Sequence, residues 1–413
     1  MSSSSASGVV PFEQACEIVR EYCNRISSGQ PETISLLQAL GRVLAEPIVA
    51  DRDFPPFPRA TRDGYALRAE DVRTVPATLR VAGTVKAGSA HHGAVARGEA
   101  VEIMTGAAIP DGGDAVVMVE YTSRDANQVV VQRTCTKGEN IVPTGSESRA
   151  GQEMLARGSR LGFAQVAVAA AVGKTNVQVY KKPRVAILST GDEVVDAAQS
   201  PGPFQIRNSN SYSLAAQVIA GGGEPETLPV APDDEAALHR LVQQGLTADM
   251  LLLSGGVSMG KFDLVEKVLA ASGAEFFFTG ALIQPGRPVV FGQAAPAARR
   301  SPIPFFGLPG NPISTMVTFD LFARPVLAAL SGASPSRLPT VKARLSKEIK
   351  TRTGLTRFLP SILQGGLLDA EVAVVPWQGS GDLMASARAN CYVVVPPDRD
   401  LLPAGEMVSV LLR

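Results

Sequence analysis

Short apolar runs alternate with helical segments through the second half of the chain. RVAIL precedes a helical segment at 209–220, DMLLL precedes DLVEKVLAAS, and PFFGL precedes ISTMVTFDLFARPVLAAL. Near-continuous apolar strands that alternate with helices are typical of a parallel sheet whose two faces are both covered. The pattern therefore predicts a three-layer α/β domain over residues 183–333.

The remaining chain has different periodicities on either side of this domain. FEQACEIVREYCNRI and SLLQALGRVL have helical spacing, and helical character returns over 151–173. Residues 53–140 contain short β-rich runs between Pro and Gly turns, and so does the segment after about Leu338. These patterns predict a discontinuous N-terminal helical and linker unit (1–52 and 141–182), an inserted β domain (53–140) and a C-terminal β domain (334–413).

Composition excludes several classes of partner. The 413 residues include 39 Lys+Arg and 39 Asp+Glu, so the balanced charge argues against a nucleic-acid track or a polybasic membrane surface. We expect no membrane span, because no apolar run approaches the roughly 20 residues that one needs. The first residues, MSSSSASGVVPF, lack the features of a signal peptide, and the four cysteines form no C-x-x-C pair. We therefore expect a cytoplasmic protein.

Three loops of the predicted α/β domain follow strands directly. They are STGDE (189–193), SGGVSMGKFD (254–263) and GLPGNPIS (307–314). Ligands of parallel sheets bind beyond the carboxyl ends of the strands, where Gly residues and helix N-termini present N–H groups to anions. Each loop alone is often a plain connection, but three at one edge predict a binding site for a phosphate-like oxyanion. The candidate binding residues are Ser189, Thr190, Gly191, Ser254, Gly255, Gly256, Ser258, Pro309, Gly310, Asn311, Pro312 and Ser314.

Charged residues at the same edge suggest further chemistry. Asp192 and Glu193 are adjacent and would repel each other, so either a metal ion or a cationic substrate group is expected between them. Arg287 stands in QPGRP, between Gly286 and Pro288. Its guanidinium would either clamp an oxyanion in bidentate fashion or form a surface salt bridge.

The inserted β domain contributes two more candidates. Asp63 precedes Gly64 in RATRDGYAL, and Thr105 follows a short strand in EIMTGAAIPDGGDAVV. Asp-Gly is ordinarily turn chemistry. These residues would become functional only if they approached the edge of the α/β sheet.

Taken in order, these motifs resemble a known family. RDGYA, TGAAIPDGGDAVVMVE, GENI, PRVAILSTGDEVV, IRNSN, SGGVSMGKFDLV, QPGRP and GLPGNPISTMVTFDLFARPVL occur in the order seen in the MoeA and gephyrin E-domain family of molybdopterin molybdenumtransferases. The similarity continues through RF (357–358), SGDLMASARAN (380–390) and AGEMVSVLL. The resemblance implies a MogA-like molybdopterin-binding three-layer domain and a C-terminal domain similar to a β-barrel.

What the resemblance implies for function is specific. The reaction would insert molybdate into adenylylated molybdopterin with release of AMP, assisted by a divalent cation such as Mg²⁺. The resemblance implies a homodimer in which the sheet domain of one subunit faces the partner's DGYA and TGA loops. A molybdopterin adenylyltransferase and molybdoenzyme chaperones are further expected partners.

The resemblance also implies roles for individual residues. It makes Asp63, Thr105, Asp192, Glu193 and Asp263 catalytic, with Asp63, Asp192 and Glu193 as cation ligands. It adds Arg287 to the residues that bind the pterin nucleotide.

The chain departs from the family pattern at several of these motifs. Arg62 precedes the DGYA aspartate where an apolar residue is usual, Asn208 replaces the acid of IRDSN, and Lys261 follows SGGVS. Arg287 stands where PGKP has Lys, and Val142 replaces the Arg of GENIR. These changes leave open a diverged paralogue that inserts tungstate or only carries the pterin nucleotide. The resemblance to gephyrin separately leaves open a scaffold in which the same fold clusters a partner.

Overall fold

The computed structural model describes residues 8–89, 93–256, 262–295, 301–333, 338–366 and 368–413. Within these ranges the fold class predicted from the sequence is confirmed. A three-layer α/β domain stands with an N-terminal helical and linker region, a β sheet inserted into that region, and a C-terminal barrel.

A six-stranded sheet forms the centre of the α/β domain. Four neighbouring strands are parallel, as predicted, and two antiparallel strands extend the sheet at one edge. In spatial order the strands are Glu224–Thr227, Arg184–Ser189, Met250–Ser254, Ile303–Leu308, Val290–Ala294 and Ala274–Phe278. An antiparallel edge on an otherwise parallel sheet is common in such domains.

Alternate side chains of the central strands enter two separate cores. Val185, Ile187 and Leu252 pack beneath helices Asn210–Ala220 and Pro312–Leu330. Their neighbours Ala186, Leu188 and Leu253 pack on the opposite face, against helices Glu235–Gly245 and Phe262–Ala271. Burial on both faces explains why the strands read as continuous apolar runs.

The helix Pro312–Leu330 crosses the first of these cores. It is long and apolar enough to span a membrane, but 78% of its most apolar stretch is buried inside the protein. A π-helical segment, Phe319–Ala323, interrupts it and carries the buried Asp320. Burial raises the pKa of Asp320, and Arg324 and Arg413 oppose that shift. These features identify a core helix of this domain.

The predicted N-terminal helices do not pack together as expected. Helix Phe12–Cys23 lies on the α/β domain, where Ala15 and Val19 join the core beneath the sheet. The segment SLLQALGRVL forms only a 3₁₀ turn, Leu36–Gln38, because Leu36 packs into the linker core while Leu37 and Leu40 stay exposed. The helical prediction was therefore wrong for this second segment.

The linker region is assembled from chain segments that precede and follow the inserted sheet in the sequence. Strand Pro31–Ser35 pairs with Asn176–Tyr180, and Ile48–Val49 pairs with Glu153–Leu155. Helix Phe163–Ala171 covers this region. These pairings agree with a discontinuous unit, and its precise boundaries stay a prediction.

The inserted region forms its own six-stranded sheet. In spatial order its strands are Ala115–Met118, Gly64–Leu67, Glu99–Ile103, Ala77–Val85, Gln128–Val131 and Thr122–Asp125. Short 3₁₀ turns occur at Ala69–Val72 and Val119–Tyr121. Strand Gly64–Leu67 is buried between two neighbours, so the DGYA motif enters the sheet at Gly64 while its Asp63 stays exposed just before the strand.

The C-terminal region closes into a five-stranded barrel. Its strands follow one another around the barrel as Thr356–Gly365, Ala370–Val374, Thr340–Leu345, Met407–Leu412 and Cys391–Val395, and the last pairs with the first. Strand Ile283–Gln284 of the α/β domain also pairs with Thr356 and Arg357. The predicted barrel-like domain is confirmed.

Minor elements complete the described chain. Two-stranded pairs join Val9–Val10 to Gly280–Ala281, Arg59–Ala60 to Ile141–Val142, Val194–Val195 to Ile206–Arg207, and Ile349–Lys350 to Leu401–Leu402. A short helix, Leu383–Arg388, leads into the last barrel strands. Cys16, Cys23, Cys135 and Cys391 are free thiols.

We expect Gly64→Ala to destabilise the protein because an added Cβ would lie 2.0 Å from the carbonyl oxygen of Val117. Overpacking of this kind costs about 1–3 kcal/mol, and backbone atoms yield less readily than side chains. Urea unfolding should report the loss. Gly366→Ala is the matched control, since an added Cβ there meets no atom within 4 Å. Equal stability of the two variants would contradict the packing argument.

Candidate functional site

The three predicted loops meet at one edge of the α/β sheet. Ser189 pairs with Ser254, and Ser254 pairs with Leu308, so the three central strands end level with one another. A cavity of about 810 Å³ lies beyond these ends. Ten predicted residues line it, namely Ser189, Thr190, Glu193, Ser254, Gly255, Gly256, Pro309, Gly310, Asn311 and Pro312. The structure therefore brings most of the predicted residues together.

Glycines let the second loop approach the first closely. Gly255 and Gly256 have φ values of 91° and 67°, which favour glycine. A Cβ on Gly255 would lie 2.7 Å from the Thr190 carbonyl oxygen, and one on Gly256 would lie 2.6 Å from Thr190 Oγ1. Gly310 is also close, because its own added Cβ would lie 3.6 Å from the Cα of Gly255. The three loops thus form a cradle with backbone on its surface.

Two polar atoms in the cavity wall have no hydrogen-bond partner within the described part of the chain. They are Thr190 Oγ1 and Asn210 Oδ1, both of them inaccessible to solvent. The amide of Asn210 is held in place, since its Nδ2 donates to Ser254 Oγ at 2.9 Å and to the Gly310 carbonyl at 2.7 Å. Buried polar groups in native proteins are normally satisfied. The cavity wall therefore contains two buried polar atoms that no described residue satisfies.

Asn208 forms a closed hydrogen-bond ring with two serines. Its Nδ2 donates to Ser211 Oγ at 2.9 Å, the two serine hydroxyls are 2.8 Å apart, and Ser189 Oγ donates to Asn208 Oδ1 at 3.2 Å. The Ser211 backbone N–H donates to the same Oδ1. All three side chains are buried. Both polar atoms of the neutral amide at this position thus have hydrogen-bond partners, and the ring ties this part of the cavity wall together.

The C-terminal region supplies one side of the cavity. Gly381 and Leu383 line it. Ser380 braces the third loop, because its Oγ accepts from Asn311 Nδ2 at 2.8 Å and its carbonyl accepts from Ile313 N–H at 2.9 Å. The Ile313 N–H at this helix N-terminus is therefore bonded to the C-terminal region and is not presented to the cavity.

The side chains of the two adjacent acids in the first loop lie in different surroundings. Glu193 lines the cavity, and its carboxylate lies beside Gly191, 2.7 Å from the position of an added Cβ. Asp192 is outside the cavity lining, and its Oδ1 accepts a hydrogen bond from the Asp233 N–H at 3.0 Å. Gly191, which directly precedes the two acids, has a φ of 130°, a backbone conformation that favours glycine. Among the described residues no group of three or more acids, histidines or cysteines stands ready for a metal ion.

The other predicted loop residues have different positions. Arg287 is exposed and does not line the cavity, although its neighbour Pro288 does. Ser314 is buried inside its helix and is not among the residues that line the cavity. Ser258 and the side chain of Asp263 lie outside the described residues, as does Lys261.

Asp63 and Thr105 contact each other in the inserted β sheet. Asp63 Oδ1 accepts from both the backbone N–H and the hydroxyl of Thr105, each at 2.7 Å. These bonds, the backbone one first, lower the pKa of the exposed Asp63 carboxyl. Neither residue lines the cavity of its own chain. The pair is thus a preformed and exposed feature of the inserted sheet, and the lowered pKa favours the ionised form of Asp63.

Some cavity residues were missed by reasoning from the sequence. Arg207 and Asn210 both line it, and Arg207 donates from Nε to the Gln199 carbonyl. The polar run IRNSN, which lies between a short strand and a helix, was the available signal. Gly381 and Leu383 come from a distant part of the chain, in the family-like stretch SGDLMASARAN, but no periodicity or turn pattern marks either residue as part of the cavity.

Three family models match the chain in succession. The MoeA N-terminal region (domain I and II) matches residues 10–173. A probable molybdopterin binding domain matches residues 186–329, and the MoeA C-terminal region (domain IV) matches residues 342–412.

Relatives match the chain over nearly its full length. It is 35% identical to the molybdopterin molybdenumtransferase of Nostoc sp. over 93% of this chain and 89% of the relative. It is 32% identical to that of Bacillus subtilis, over 98% of this chain and 94% of the relative. The crystal structure of a molybdopterin biosynthesis MoeA protein from Pyrococcus horikoshii superposes with a TM-score of 0.79 at 32% identity, covering 98% of this chain and 100% of that one.

We expect Thr105→Val to raise the pKa of Asp63 only part of the way to its ordinary value, because the backbone N–H, the larger cause, remains. A carboxyl with a lowered pKa stabilises the fold above its unfolded pKa, and that contribution is lost as the pH falls through the folded pKa. NMR titration of the Asp63 carboxyl carbon would measure the shift. Thr84→Val, which removes a hydroxyl bonded to Glu102, is the control. An unchanged Asp63 pKa in Thr105→Val would contradict the assignment.

We expect Gly256→Ala to weaken the binding of inorganic pyrophosphate by about tenfold or more, since the new methyl would enter the cradle in a backbone conformation that alanine rarely adopts. Calorimetric titration would measure the affinity. Gly379→Ala, at a positive φ but with open space around it, controls for the backbone strain alone. Equal losses in both variants would argue against a cradle at Gly256.

Proposed function

The chain belongs to the family of molybdopterin molybdenumtransferases, and we propose that it inserts molybdate into adenylylated molybdopterin with release of AMP. The predicted family, fold class and transferase activity are confirmed by relatives that span almost the whole chain. The paralogue, carrier and scaffold alternatives have no support among these relatives. One observation carries the assignment of the reaction to the cavity. It is the glycine cradle with unpartnered polar atoms at the sheet edge.

The cradle suits the pyrophosphate of the adenylylated substrate. The backbone at Gly255 and Gly256 approaches a ligand without steric cost, and the Thr190 hydroxyl has a free hydrogen to donate. Asn210 Oδ1, which has no partner among the described residues, would accept a hydrogen bond from a hydroxyl or amine of the substrate if the wall opened to expose it. Fixed donors of this kind stabilise the charge that grows on the phosphate oxygens as the P–O bond to AMP breaks.

The acids of the first loop fit a divalent cation that the substrate helps to hold. Mg²⁺ is commonly bound by one or two carboxylates together with substrate phosphates. Glu193 at the cavity and Asp192 beside it supply such carboxylates, which agrees with the absence of a three-acid cluster in the described chain. The ion would neutralise phosphate charge during AMP release. A bound cation would also relieve the repulsion between Asp192 and Glu193.

The departures from the family pattern have a structural explanation at one position. Asn208 is held by Ser189 and Ser211, so the acid usual in this motif is replaced without an unsatisfied group. The replacement removes a negative charge from the cavity wall. We propose that cation binding in this protein depends more on Glu193 and on the substrate phosphates than it would if an acid stood at position 208.

We propose that the active unit is a homodimer with shared sites. Asp63 and Thr105 are exposed, bonded to each other and absent from the cavity of their own chain. Placed against the cavity of a partner subunit, Asp63 would add a third carboxylate beside Glu193. There it would orient the molybdate oxygen or complete the cation site.

Three further proposals concern the location of the protein, its partner proteins and its domain boundaries. We propose a cytoplasmic location, which the four free thiols support because reducing compartments maintain them. A molybdopterin adenylyltransferase would supply the substrate, and molybdoenzyme chaperones would receive the product. The division at residues 1–52 with 141–182, 53–140, 183–333 and 334–413 is proposed as the domain organisation.

We expect Glu193→Gln to reduce AMP release by about 100-fold or more, because a neutral amide cannot neutralise and position the cation. The measurement is AMP formed from adenylylated molybdopterin with molybdate and Mg²⁺. Asp125→Asn, an exposed acid at the far edge of the inserted sheet, is the control. If wild-type protein binds the nucleotide but releases no AMP, the transferase proposal fails in favour of a carrier.

We expect inactive Asp63→Asn and inactive Glu193→Gln proteins to recover activity when they are mixed and allowed to exchange subunits. In a shared-site homodimer each mixed dimer holds one intact site, so random exchange should restore about one quarter of wild-type activity. The mixture is assayed by AMP release after subunit exchange. No recovery, with exchange verified by differential tags, would contradict shared sites.

A further inference from the structure

Two helices that begin at the cradle cavity contact each other about one turn deeper in the protein. Helix Pro312–Leu330 and helix Leu383–Arg388 each contribute their first residue to the cavity wall. Ser386 Oγ donates to Met316 Sδ at 3.8 Å, so the helices touch at that level. With a rise of about 1.5 Å per residue, this contact lies roughly 5 Å beyond the cavity on each helix.

The side chain of Arg413 joins both helices at this level. Its Nη1 donates to the carbonyl oxygens of Ser386 and Ala389, at 2.8 and 3.2 Å, and its Nη2 donates to Met316 Sδ at 3.9 Å. The two carbonyls lie at the C-terminal end of the short helix, where a cation satisfies the last carbonyls and the negative end of the helix dipole. Arg413 does not line the cavity itself. We call these contacts the Arg413 clamp.

The surroundings of Arg413 hold its guanidinium in place. Its Cζ lies over the ring of the buried Tyr392, 5.4 Å from the ring centroid. Asp320 of helix Pro312–Leu330 is also buried, and burial raises its pKa, while the charges of Arg324 and Arg413 oppose that shift. The guanidinium therefore favours the ionised form of this buried carboxyl. Removing it would disturb both helices and the barrel strand that carries Tyr392.

Ser380 joins the same two segments at the cavity itself. It accepts hydrogen bonds from the Asn311 side chain and from the Ile313 N–H. A single point of attachment leaves two rigid helices free to swing about it, whereas a second point one turn away fixes the angle between them. Ser380 and Arg413 together therefore fix both the spacing and the angle of the two helices.

We propose that Arg413 is a positioning residue for the transferase reaction. It sets the angle between the third loop and the wall that carries Gly381 and Leu383, and so it keeps the cradle at the width that its ligand requires. The proposal rests on the proposed function for the identity of the substrate, while inorganic pyrophosphate reports the geometry of the cradle without any reaction. Such geometry matters because a misplacement of about 1 Å costs about 100-fold in rate.

Calorimetric titration of the full-length protein with pyrophosphate tests the clamp. We expect Arg413→Ala to raise the Kd about tenfold, and millimolar methylguanidinium to restore most of the affinity by refilling the space between the helices. A loss of stability alone lowers the fraction of protein that binds but leaves the Kd of the folded molecules unchanged. The Kd therefore separates positioning from folding.

Arg413→Lys is the second variant, and it keeps the charge. A lysine ammonium lacks the planar fork that bonds two carbonyls, so we expect the Kd to rise about threefold. Methylguanidinium should not reverse this rise, because the lysine side chain occupies the space. Arg344→Ala is the matched control, since it removes an exposed guanidinium that donates to the Gly405 carbonyl at 3.3 Å, in the same barrel but away from both helices.

Two results overturn the proposal. One is a wild-type Kd for pyrophosphate in both Arg413→Ala and Arg413→Lys. The other is an equal rise in Kd in Arg344→Ala, which would show that any lost bond in the barrel has the same effect. If Arg413→Ala does not fold, Arg413→Lys decides alone, and its raised or unchanged Kd supports or overturns the clamp.

The clamp and the proposed reaction fail in different ways. If the wild type releases AMP in a molybdate-dependent assay and the Arg413 variants bind pyrophosphate and release AMP equally well, the clamp is wrong and the reaction stands. If pyrophosphate binding depends on Arg413 but the wild type releases no AMP from the adenylylated substrate, the clamp stands and the reaction is wrong.

Discussion

The register of the central parallel strands is the constraint on which the site depends. Ser189, Ser254 and Leu308 are hydrogen-bonded neighbours, and each is the last residue of its strand. A slip of one residue would move a loop by about 3.3 Å and exchange the two faces of that strand. The two hydrophobic cores forbid such a slip because alternate residues are buried on opposite sides. Core packing therefore sets the geometry of the cavity.

This dependence explains why much of the site could be predicted from the sequence. Apolar runs that end in Gly, Ser and Asn mark both the strands and the loops that follow them, and parallel strands bring such loops to one edge. Ser254, Gly255 and Gly310 were therefore found without a structure, and they line the cavity. Arg287 was chosen for its charge and rigid neighbours, but it is exposed outside the cavity lining. Local sequence does not determine the direction of a long side chain.

The parts that escaped prediction depend on contacts between distant segments. Leu36–Gln38 has helical spacing, yet it forms one 3₁₀ turn because its Leu36 packs in the linker core. Asn210 looks like an ordinary residue in the first turn of a helix, and only the folded structure shows its amide joining Ser254 to Gly310. The closed barrel likewise requires its first and last strands to meet, which no local pattern indicates. Resemblance to a family supplied the barrel where periodicity did not.

The hydrogen bonds that Ser380 accepts from the third loop couple the conformation of the cavity to the docking of the barrel. Ser380 leads into the helix that precedes two barrel strands, and it fixes Asn311 and Ile313 at the cavity. A ligand that prefers the third loop in its Ser380-bonded conformation must also prefer the barrel docked on the α/β domain. By reciprocal linkage, docking of the barrel strengthens the binding of that ligand by the same free energy. These contacts would therefore stabilise the third loop in the conformation seen here, and a ligand that binds this conformation would in turn raise the free energy needed to detach the barrel from the α/β domain.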